Sequence, residues 1–110
     1  MTAYAIAQLN DVRPGPEIAD YLRRVDATLE PFGGRFLIHG AEPEVLEPGW
    51  TGNIVVVAFP DMEAARTWYE SAAYQAILPL RLRNSRSTLF LIQGVKDGYK
   101  AGDFAAQLNP

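Results

Sequence analysis

The chain has 110 residues, 48% hydrophobic and 21% charged, which suits one packed domain that removes roughly two-thirds of its unfolded surface from water. Ten basic against thirteen acidic side chains give a net charge of -3 and a pI near 5.0, so no broad positive field is present to hold a nucleic-acid backbone. The absence of cysteine excludes disulfides, thiolate catalysis and zinc–cysteine sites, and it fits a cytoplasmic protein. The opening MTAYAIAQLND lacks a basic leader, and the longest apolar run, IVVVAF, is far too short for a bilayer, so neither an export signal nor a membrane span is expected.

Residues 3–9, AYAIAQL, alternate in side-chain size and meet the turn-forming NDVRPGP, which predicts a first strand. Pro16 suits the first turn of a helix. Beyond it, Ile18, Tyr21, Leu22, Val25 and Leu29 recur at steps of three and four, opposite Glu17, Asp20, Arg24 and Asp26, and so define an amphipathic helix. That helix ends near EPFGG, and RFLIHG re-emerges as a strand. By strict alternation, Arg35, Leu37 and His39 take one side of it and Phe36 and Ile38 the other, the natural helix-facing side.

AEPEVLEPGWTGN is a connection, with EVLE as a possible short extended rib. NIVVVAF is the strongest strand signal, β-branched from Ile54 to Val57. Asp61 is placed to cap a second helix through MEAARTWYE, and further helical turns through AAYQAIL are expected to bend or stop at Pro79. STLFLIQG is the last strand. The order β-α-β-β-α-β predicts an α+β domain of ferredoxin-like type over residues 1–95, an antiparallel sheet with its helices on one face. Four apolar residues in a row at Ile54–Val57 and at Leu89–Ile92 suggest strands buried on both faces, so the open face is expected to meet a second copy of the chain. Residues 96–110 read as a C-terminal tail or a dimer arm, with Phe104, Ala105 and Leu108 on one helical face.

Three stretches, YLRRVDATLEPFGGRFLIHG, IVVVAFPDMEAARTWYESAAYQAILPLR and LFLIQG, together resemble domain-of-unknown-function family 1330 of the dimeric α+β-barrel superfamily. The likeness runs from about Tyr4 to Gly94. It implies a homodimer in which two sheets close face to face, and it implies no established reaction. Against the pattern of that family, this chain has HGA at His39 to Ala41 in place of RGG, Asn53 in place of arginine and Ala58 in place of glutamate. If the middle strands pair antiparallel, Arg35 lies across from Ala58 and lacks a charged cross-strand partner.

The candidate chemistry follows from residue type. Arg35 offers a fixed fork for a carboxylate or enolate, and His39, the only histidine, is a candidate acid–base catalyst. Tyr4 and Gln8 share a face of the first strand and are candidates to extend a polar lining or to contact the dimer partner. Trp68, Tyr69 and Tyr74, with Tyr21 and Arg81, are candidates for a ligand-binding wall, against the plainer role of core and interface anchors. No phosphate loop, nucleophile elbow or metal cluster is evident, and no cofactor is expected. Two functional classes remain: a protein that binds or transforms a small organic acid or phenolic molecule between sheet and helices, and a non-catalytic homodimeric module for a metabolite or protein partner.

Overall fold

The computed structural model of the chain describes residues 1–108. Four strands, β1 (Ala3–Asn10), β2 (Arg35–Ile38), β3 (Asn53–Phe59) and β4 (Arg86–Gln93), form one antiparallel sheet in the order β2-β3-β1-β4. Helix α1 (Pro16–Leu29) and the pair α2 (Met62–Glu70) and α3 (Ala72–Leu82) cover one face. This is the ferredoxin-like α+β arrangement that the element order predicts. β1 and β3 are central and β4 is an edge strand, so the apolar run Leu89–Ile92 lies at the sheet margin rather than in its middle.

The register sorts side chains into two faces. Leu91, Ala5, Val57 and Phe36 stand in one row on the helix side, with Leu89, Ala7 and Val55 in the next. On the open side Phe90, Ile6, Val56 and Ile38 form an unbroken apolar row across all four strands. Ile38 joins that row because Phe36 pairs with Val57 and Ile38 with Val56, leaving Leu37 as an extra residue in β2. A one-residue bulge inverts the alternation beyond it. The expected inward Ile38 and outward His39 are therefore exchanged, while Arg35 does stand opposite Ala58 on the open side, as expected.

Local chemistry explains the helices. The Asp61 carboxylate accepts a hydrogen bond from the Ala64 amide at 2.8 Å, as its capping position requires. Ser71 adopts an extended ψ of 147°, ends α2, and caps α3 by accepting from the Tyr74 amide at 3.2 Å. α3 does not stop at Pro79 but continues to Leu82. Pro79 and Gln75, whose carbonyl loses its usual donor, are both exposed, so water can satisfy the break. EVLE forms no strand; the β2–β3 connection is irregular and exposed. A short helix α4 (Ala101–Leu108) ends the described chain with no buried residue, its Leu108 72% exposed. The radius of gyration is 16.0 Å, above the ~13 Å of a compact domain of this length, in keeping with this exposed loop and helix.

Candidate functional site

The helix-facing side of β1 carries small residues at Ala3, Ala5 and Ala7, with Leu9 at its end. α1 lies along α3, anchored where Glu17 accepts hydrogen bonds from Arg83 at 2.6 Å and Asn84 at 3.0 Å. Between α1 and the alanine row a cavity of about 200 Å³ remains. All five apolar-face residues of α1, from Ile18 to Leu29, line it, facing Ala5, Ala7, Val55, Val57 and Leu89 of the sheet. Exposed Val12, Leu22, His39 and Gly40 rim its mouth. Buried Trp68 and Arg81 lie among its walls.

The polar groups are few. Tyr21 lines the cavity, and its hydroxyl is 2.8 Å from that of the fully buried Tyr74. Burial, with Tyr74 beside it, pushes the Tyr21 phenol well above its ordinary pKa of 10.0, against the opposing influence of Arg81. Arg81 is 3% exposed and donates from Nη1 to the Ser87 hydroxyl at 2.6 Å, while its Nε has no partner. Burial works against the Arg81 charge, but the adjacent Tyr74 and Tyr21 outweigh it, so its pKa is raised. Both groups therefore keep their protons throughout the physiological range.

Trp68 sits behind them, its ring 4.2 Å from that of Tyr74 and 5.4 Å from that of Phe59. Its indole N–H donates to the Thr28 hydroxyl at 3.0 Å, which in turn donates to the Val25 carbonyl at 2.6 Å. Tyr69 packs edge-on against Trp68 at 6.1 Å. Of the candidate residues, Tyr21, Trp68, Arg81 and His39 line the cavity; Tyr69 and Tyr74 stand behind its wall. Arg35 is elsewhere, on the open side of the sheet, so it does not converge with His39. The bulge is the cause: it carries His39 to the side of Phe36, whose ring lies 5.1 Å away. Tyr4 and Gln8 also face the open side, and the Gln8 amide ties down the β2–β3 loop by donating to the Thr51 carbonyl at 2.7 Å.

Sequence reasoning overlooked Ser87 and Thr28 as the partners that position Arg81 and Trp68, and Ala5 and Ala7 as the source of the space. The period-2 alanines were the available signal. Among the described residues no group of three or more His, Cys, Asp or Glu could hold a metal ion, and no helix is long and apolar enough to cross a membrane.

The shift of Tyr21 has a measurable consequence. Above pH 10 the unfolded chain releases this proton and the folded chain keeps it, so the Tyr21 contribution to stability is full below that pH and is lost as pH rises. The limiting slope is about 1.4 kcal/mol per pH unit for one proton. Urea unfolding at about pH 8 and about pH 11 should show a smaller alkaline loss in Tyr21→Phe than in the wild type.

The chain matches the family described as Domain of unknown function (DUF1330) over residues 2–95. It belongs to that family. The match stops short of α4. No curated protein sequence matches significantly. Among solved structures, a protein of unknown function from Rhodopseudomonas palustris is similar at 16% identity and a TM-score of 0.64, over 86% of this chain and 83% of the other. A mutant of SnoaB, a cofactor-independent oxygenase from Streptomyces nogalater, is similar at 15% identity and a TM-score of 0.61, over 90% and 98%. A dimeric ferredoxin-like protein of unknown function from Jannaschia sp. CCS1 is similar at 12% identity and a TM-score of 0.57, over 86% and 100%. At these identities the likeness establishes the fold alone.

Proposed function

We propose that the protein is a homodimer that binds a small organic acid or phenolic molecule in the cavity between α1 and the sheet. The observation that carries this reading is a built space: about 200 Å³ bounded by apolar side chains, with one phenol, Tyr21, and one buried cation, Arg81, in its wall. Interiors are normally filled to crystal-like density, so an apolar space of this size with an exposed mouth offers room for a ligand. Trp68 supplies part of the apolar wall, and Tyr69 and Tyr74 hold it from behind. His39, at the mouth, is the imidazole available for proton transfer if the bound molecule is transformed. The resemblance in fold to a cofactor-independent oxygenase supports organic chemistry without a cofactor in this architecture, and it assigns no residue.

The dimer forms through the open face of the sheet. Phe90 and Ile92 are 48% and 47% exposed there, part of an apolar surface of a kind that monomers rarely leave bare. A structural relative is itself dimeric. Arg35 belongs to this contact rather than to the cavity. Residues 96–108 act as an arm that lays Phe104 and Leu108 on the second copy.

A thermal-shift panel of small aromatic carboxylates and phenols tests the binding reading. At least one compound should raise the melting temperature by several degrees, since a ligand at 100 times its Kd adds about 2.7 kcal/mol. A panel with no stabilising member would contradict it.

A further inference from the structure

The Arg81 guanidinium carries five N–H donors and is 3% exposed, yet its polar neighbours are all neutral: it donates to the Ser87 hydroxyl at 2.6 Å and lies beside the phenols of Tyr74 and Tyr21. Its Nε has no partner at all. The ion pairs among the described residues join Arg24 to Asp20, Arg83 to Glu17 and Arg86 to Asp11, all on the surface. None involves Arg81. No aspartate or glutamate lines the cavity that Arg81 faces. A buried cation without a counter-ion costs several kcal/mol, and proteins retain one where something else supplies the charge.

We infer that the ligand of this cavity is an organic anion, whose carboxylate, enolate or phenolate oxygen stands beside Arg81 where a protein carboxylate is missing. The inference rests on the small-molecule reading above and adds the sign and position of the ligand's charge. Tyr21 cannot supply that charge, because it is held as a neutral phenol. It supplies a donor instead. The hydroxyls of Tyr21 and Tyr74 bring two hydrogens to one shared bond of 2.8 Å, so when Tyr74 donates, the Tyr21 hydrogen is free to point into the cavity. An oxyanion next to both groups accepts from a cation and a phenol, bonds of the charge-assisted kind. Its apolar body then lies along Ala5, Ala7, Val55 and Val57, which offer no polar group to a second charge. A neutral isostere fills the same space and leaves the guanidinium uncompensated.

The test is calorimetric titration of the 110-residue chain near neutral pH with matched pairs: benzoate and benzamide, phenylacetate and phenylacetamide, 2-naphthoate and 2-naphthamide. The acid should bind at least about tenfold more tightly than its amide in the wild type. In Arg81→Gln that advantage should fall below about threefold with the amide affinity little changed, and Arg81→Lys should restore part of it. A purely structural role for Arg81 would alter stability and leave the acid-to-amide ratio alone. Equal binding of acids and amides by the wild type overturns the anion assignment while leaving the cavity reading intact, and this comparison holds even if Arg81→Gln does not fold. Failure of both members of every pair to bind contradicts the cavity reading itself, and the anion assignment with it.

Discussion

Trp68→Ala should lose about 3–5 kcal/mol of stability, the range for truncating a large buried aromatic. Trp68 is 2% exposed and lies at the junction of three elements, against Phe59 of β3, Tyr74 of α3 and Thr28 of α1. Its removal withdraws an indole from the cluster and leaves the Thr28 hydroxyl without its donor. A loss of that size is a large share of the 5–15 kcal/mol that holds a typical domain together. Equilibrium urea unfolding measures it. Trp68→Phe, which retains much of the packing but not the N–H, should fall between the two. A loss below about 1 kcal/mol for the alanine variant would mean that α1, α2 and α3 are not locked through this ring.

Phe90→Glu should convert the proposed dimer to a folded monomer. Phe90 projects from edge strand β4 on the open face and continues the row formed by Ile6, Val56 and Ile38. A carboxylate there puts an unpaired charge into an apolar contact, and central contacts of this kind are worth 2 kcal/mol or more, so the dimer Kd should rise at least about 30-fold. Light scattering over a dilution series reads the change, and far-UV circular dichroism checks that the fold survives. Removing residues 96–110 should weaken the same dimer to a lesser degree; unchanged dissociation would dispose of the arm. A wild-type chain that is already a soluble monomer would refute the assignment of the open face.

The sequence made the helices legible and misread one strand. Ile18, Tyr21, Leu22, Val25 and Leu29 recur with the helical period, and all of them do line one wall. The aromatic run with Arg81 was recognisable because α2 and α3 present Trp68, Tyr74 and Arg81 inward from successive turns. His39 was assigned the wrong side because a bulge shifts pairing by one residue, and the backbone bend that makes it leaves no mark in the residue types RFLI. Leu89–Ile92 read as a strand buried on both faces, yet β4 is an edge whose outer residues are bare in a single chain. Alternation records what a residue is built to be covered by and does not distinguish a helix from a second subunit. The period-2 alanines of β1 were a signal for space beneath the helices, but the size of the cavity is not legible in residue types, since it depends on how far α1 stands from those alanines.

If this space holds the ligand, filling it should displace the ligand. Ala7 lines the cavity on its sheet side, and a leucine side chain at this position would grow into the open volume. Titration of the most stabilising carboxylate or phenol into wild type and Ala7→Leu should give single-site binding to the first and at least about a tenfold loss in the second, with melting temperature held or raised as the void fills. Equal affinity for both proteins would place the ligand elsewhere and overturn the assignment of this cavity as its site.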